Sequence, residues 1–179
     1  MKDQRSYFEK ADFQSNLPHK VLIGVVGLFL VFLEVGFAQL PVFFGASPLL
    51  SVILIYYMRV FHMKFMPIGT VFLIGIVADL LMSDILGGRA TALILMSYVI
   101  EARKSRLEQS EFGQIWFDFL FCAAAILMFQ LFFFSLINLG VPSLNPILFQ
   151  LGVTTLLFPL GFLLIYSIHR LMQEMSLIS

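Results

Sequence analysis

The sequence predicts an all-α, polytopic membrane protein with six transmembrane helices, and three observations predict it. The 179 residues are 60% hydrophobic and 12% charged, whereas an ordinary soluble domain carries about 25% charged side chains. The apolar residues gather into runs suited to crossing a hydrocarbon core of about 30 Å, which takes about 20 residues per helix. Lysine and arginine are also one-sided. With the N-terminus in the cytoplasm, Lys2, Arg5, Lys10, Lys20, Arg59, Lys64, Arg103, Lys104, Arg106 and Arg170 fall on inside segments and Arg89 alone falls outside, which is the positive-inside pattern. An odd number of crossings puts one of these basic clusters on the wrong face. Six spans leave little chain for anything else, so 1–19 is expected as a cytoplasmic N-terminal tail, 20–170 as a single six-helix domain, and 171–179 as a cytoplasmic C-terminal tail. No separate soluble domain fits, and no nucleic-acid partner is expected.

The first span runs from about Lys20 to Leu40 and carries Gly24, Gly27 and Glu34. The tail before it has both charge signs, and no small-residue cleavage site follows the first apolar run, so an uncleaved helix is expected rather than a signal peptide. Pro41 and the segment Gly45 to Pro48 make a turn, because proline lacks a donor N–H and disfavours helical geometry before it. Span two, LLSVILIYYM, is short; Tyr56 and Tyr57 close it as interfacial aromatics, and Arg59 and Lys64 form a basic loop. Span three covers about Phe65 to Met82 and span four about Leu86 to Ile100, with SDILGGR at their junction and a charged loop from Glu101 onward. From Phe119 to Ile168 there is no charged side chain. One helix over that stretch would measure about 75 Å, so it must be two, broken at Asn138 to Pro146 where glycine, asparagine and two prolines cluster. Pro159 is expected to bend the last span.

Asp79 is the leading functional candidate. A carboxylate at membrane depth costs a few kcal/mol and therefore takes a partner. Glu34 and Asp79 each lie about 14 residues into their spans, roughly 21 Å from the cytoplasmic boundary, so they share a level in the outer half. Arg89, entering span four from outside, can turn toward them, which predicts an ion cluster joining spans one, three and four. The alternative is that Glu34 stands alone while Arg89 and Asp84 are solvated loop residues. No further acids continue a path through the inner half, which argues against a proton relay. Gly75, one turn before Asp79 on the same face, lets a neighbouring helix approach closely, and Gly87 with Gly88 permits a tight turn into span four.

Other residues carry less. Cys122 is the single cysteine, so no internal disulfide or cysteine-based metal site exists, and its alanine neighbours suit a packing role. His19, His62 and His169 are expected as interfacial groups, and Asp118 as an interfacial charge. Span five, WFDFLFCAAAILMFQLFFF, is aromatic all round, which suits lipid contact on several faces or a docked partner helix. DILGGRA (Asp84 to Ala90) begins like the CDP-alcohol phosphotransferase signature, but the glycine spacing differs and the two later aspartates are absent. There is no P-loop, HExxH or nucleophile elbow, so no enzyme activity, cofactor or metal is expected.

One resemblance spans these features. SPLLSVILIYY, a basic break, then GIVADLLMSDILGGRATALILMSYV and a Lys/Arg-rich loop resemble the rod shape-determining MreD family of bacteria. That family typically shows a proline-led span, a glycine four before a membrane aspartate and a second glycine eight after it; Pro48, Gly75, Asp79 and Gly87 stand at those positions here. Ile85 occupies a place where the family often has proline. The resemblance implies a non-enzymatic scaffold subunit in the inner membrane that maintains cell shape. Its partners would be the bitopic protein MreC and, through it, the MreB filament, RodA and a class B penicillin-binding protein. It also implies a fold similar to the substrate-binding subunits of energy-coupling-factor transporters, which supplies the rival function of vitamin binding. Such subunits usually carry an Ala-xxx-Ala docking pattern in the first helix; span one has only Ala38. For a scaffold, the face around Gly75 and Asp79 either braces the fold or receives a partner's helix, and basic loops near Arg103 to Arg106 face filaments or anionic membrane lipid.

Overall fold

The computed structural model describes residues 17–40, 47–82, 85–138 and 144–176. Pro41, most of the turn before Pro48, Asp84 and the centre of the Asn138 to Pro146 break lie outside the described residues. Those described are helical, with no strand among them: α1 Leu17–Ala38, α2 Leu50–Phe61, α3 Ile68–Met82, α4 Gly88–Leu107, α5 Phe112–Asn138 and α6 Leu144–Ser176, with a 3-10 turn at Met63–Phe65. The last helix continues through Pro159 and past Arg170. Three segments are long and apolar enough to cross a membrane, His19–Ala38, Phe112–Ile137 and Leu144–Ser167. Their outward faces carry large apolar side chains such as Phe29, Phe32, Phe121 and Leu164, a surface that suits lipid and not water.

The shortest helix is the central one. α2 has 12 residues, about 18 Å of helix, and every residue from Ser51 to Val60 is buried. It packs against α1, α4 and α6, while α3 joins α1 to α4 and α5 joins α4 to α6. An arc of five helices therefore wraps α2. This corrects the expectation for its end: Arg59 lies within the helix and not in a loop, because the apolar Val60 and Phe61 carry the helix onward, and Tyr56, Tyr57 and Arg59 are buried among its neighbours. Tyr56 lies edge-on to Phe119 and Phe158, with centroids 5.3 and 5.7 Å away, and those two rings stack at 4.1 Å. Such pairs add about 0.5–1.5 kcal/mol each beyond area burial, and here they tie α2 to α5 and α6.

Glycine sets the helix spacing at three crossings. A Cβ on Gly75 would sit 2.5 Å from the Ala90 Cα, and one on Gly161 would sit 2.9 Å from the Ile53 Cγ2. Gly27 faces Ile74 as tightly. These contacts hold α3 on α4, α6 on α2 and α1 on α3, and they set the positions of the charged side chains described next.

Candidate functional site

The site grows from helix starts. An α-helix leaves its first N–H groups without intrahelical acceptors, and Leu49 just before α2 and Arg89 and Ala90 at the start of α4 are buried. Leu49, which precedes α2, offers no side-chain cap, and neither does Gly87 before α4. The acceptors come from other helices. Glu34 of α1 takes the Ser51 N–H on Oε1 at 2.5 Å, and Thr154 of α6 takes the Leu49 N–H at 3.0 Å. Asp79 of α3 takes the Gly87 N–H at 2.8 Å, the Arg89 N–H at 3.1 Å and the Ala90 N–H at 3.4 Å. Each carboxylate thus meets the positive end of a helix dipole as well as specific donors.

Arg89 closes the arrangement. Its Nη2 donates to Glu34 Oε2 at 2.5 Å and to Ser51 Oγ at 3.2 Å. Glu34, Asp79 and Arg89 are each exposed by 2% or less, so the pair is sealed, and the attraction of the two ions is little screened. The Arg89 Nε has no partner.

The structure brings Glu34, Asp79 and Arg89 together and adds Ser51, so four helices meet where three were expected. Among the described residues Gly87 alone is a glycine with positive φ, +90°, and this conformation aims its N–H at Asp79; Gly88 does not share it. Pro48 lies buried just before α2, in a segment held by the Gln150 amide, which donates to the Ser47 carbonyl at 2.8 Å. Gly75 packs on Ala90, so α4 occupies the face that was offered either to bracing or to a partner helix. The arrangement can hold helix ends in register. Its carboxylates spend their acceptors on backbone and guanidinium groups, and among the described residues no group of His, Cys, Asp and Glu could hold a metal ion.

A second set of polar contacts lies at the opposite end of α2. Arg59 gives Nη2 to Glu101 Oε2 at 3.0 Å and points Nη1 toward the Met66 carbonyl at 3.4 Å. Asp118 accepts from Arg103 at 2.7 Å and from the Tyr56 hydroxyl at 3.0 Å, so it joins three helices and is more than an interfacial charge. Sequence reasoning missed Ser51, Arg59, Tyr56 and Thr154 as members of these networks. The available signal for Arg59 was its position inside the apolar run Tyr56 to Phe61; Thr154 offered none.

Beside Asp79 and Arg89 lies a cavity of about 180 Å³, bounded also by Gln130 and Leu131 of α5 and Ile147 and Gln150 of α6. Comparison with known proteins finds no matching family model, no matching curated sequence and no matching solved structure.

Proposed function

We propose that this chain is a non-enzymatic scaffold subunit of the bacterial rod complex, a six-span inner-membrane protein with both termini in the cytoplasm. In this reading it binds MreC and, through it, links MreB filaments to peptidoglycan synthesis by RodA and a class B penicillin-binding protein. The observation that carries the reading is the use made of the buried ions. Glu34, Asp79 and Arg89 are spent on holding helix starts, which ties four helices into one bundle with apolar flanks. The resemblance of the Pro48 to Arg106 segment to the MreD family supplies the partners.

The vitamin-binding alternative draws less support. Small-molecule sites usually enclose roughly 300–1,000 Å³, and the cavity beside Asp79 holds about 180 Å³, with its two ionic side chains already engaged. Site-specific photocrosslinkers at exposed Leu73 and Leu80 of α3 and Phe117 and Phe132 of α5, activated in the native membrane, test the proposal. The expected product is an adduct with MreC. Capture of a small vitamin and of no cell-wall protein overturns it.

A further inference from the structure

A groove between α4 and α5, away from the ion cluster, has a volume of about 230 Å³. Its α4 wall is a single stripe in which Ala92, Met96, Val99 and Arg103 follow one another at steps of four, three and four residues, the spacing of one helix face. The same stripe continues one turn further to Arg106. Across from it stand Phe121, Ala125 and Phe129 of α5. The two alanines give the slot depth and the phenylalanines wall it, so the lining is apolar except for a guanidinium at one mouth.

Length and charge identify the occupant. From Ala92 to Arg103 the helix rises about 16 Å, half of a hydrocarbon core of about 30 Å. The groove is therefore apolar for the depth of one leaflet and turns cationic where that leaflet's headgroups begin. Along that length the slot is walled by the single side chains of Phe121 and Phe129, a trough that suits a hydrocarbon chain. At the mouth, Arg103 is 49% exposed and gives Nη1 to Asp118. Arg106 is exposed and makes no ion pair among the described residues. Guanidinium forks match phosphate oxygens two at a time, and basic residues at a membrane surface favour anionic lipid.

We propose that this groove binds an anionic phospholipid, with one acyl chain in the slot and the phosphate held by Arg103 and Arg106. The inference rests on the six-span reading above but not on the identity of any protein partner. Failure to crosslink MreC leaves it standing, and loss of lipid preference leaves the scaffold reading standing.

The test uses the purified full-length chain in detergent, titrated with phosphatidylglycerol or phosphatidylcholine of identical acyl chains and read by native mass spectrometry. Phosphatidylglycerol is expected to be retained about 5-fold more tightly. Arg106→Gln should reduce that preference and Arg103→Gln added to it should abolish it. Ala125→Phe, which fills the slot from an exposed position, should lower retention of both lipids with helical content unchanged. Equal retention of the two lipids by the wild-type chain, or retention undiminished in Ala125→Phe, overturns the proposal. So does a dimer that Ala125→Phe dissolves, which would assign the groove to a second copy.

Discussion

At the Glu34 end of the bundle, Glu34, Ser51, Asp79 and Arg89 come from four helices and are sealed from solvent. At the Arg59 end, buried Arg59 pairs with a Glu101 that is 44% exposed, and half-exposed Arg103 pairs with Asp118. The same residue types therefore do different work. A sealed pair has no water to replace a lost partner, so removing one ion strands the other. Where solvent reaches the pair, water takes the vacated place and little is lost. The Glu34 end is a sealed joint, whereas at the Arg59 end one member of each pair, Glu101 or Arg103, faces solvent.

The largest expected effect is at Glu34. Glu34→Ala leaves Arg89 without a counter-charge and the Ser51 N–H without an acceptor, and should destabilise the fold by about 3–5 kcal/mol, measured by reversible unfolding in detergent. Replacing both ions together, Glu34→Met with Arg89→Met, should cost less than the single change, since an apolar pair strands the Ser51 N–H but no buried charge. A loss of under about 1 kcal/mol for the single variant would erase the contrast between the two ends. Asp79→Ala comes next. Three N–H groups at the start of α4 lose their acceptor, for about 1–3 kcal/mol, and hydrogen exchange of the Gly87 and Arg89 amides should accelerate while the Phe119 region stays protected. Unchanged exchange there would mean that Asp79 does not hold the helix start. The smallest effect is Arg103→Gln, expected below about 1 kcal/mol because that pair is half in solvent; a larger loss would show the Arg59 end to be as tightly built as the other.

Part of this was legible in the sequence. The shared depth of Glu34 and Asp79 follows from counting residues along two apolar runs, and Arg89 is the one cation able to reach them. Gly75, one turn from Asp79, marks a close crossing for the same reason of helical spacing. What the sequence hid depends on neighbours brought together from afar. Arg59 reads as a loop residue because a cation after two tyrosines looks like the end of a span, and only the arc of helices around α2 supplies Glu101 as its partner. The shortness of α2 reads as a tilted or partial crossing. Its start is in fact fixed inside the bundle by acceptors on α1 and α6, one of them 105 positions away, which no local pattern reports.

The order of these acceptors along the chain has a consequence for biogenesis. Glu34 precedes Ser51, and Asp79 precedes Gly87 and Arg89, so synthesis delivers each carboxylate before the helix start it will receive. A nascent α2 or α4 leaving the ribosome meets a waiting acceptor and not bare lipid, and the arrival of Arg89 then neutralises Glu34, made 55 positions earlier. Four helices can thus assemble the Glu34, Asp79 and Arg89 cluster while the last two are still being translated, and Asp118 and Thr154 come afterwards as latches on it.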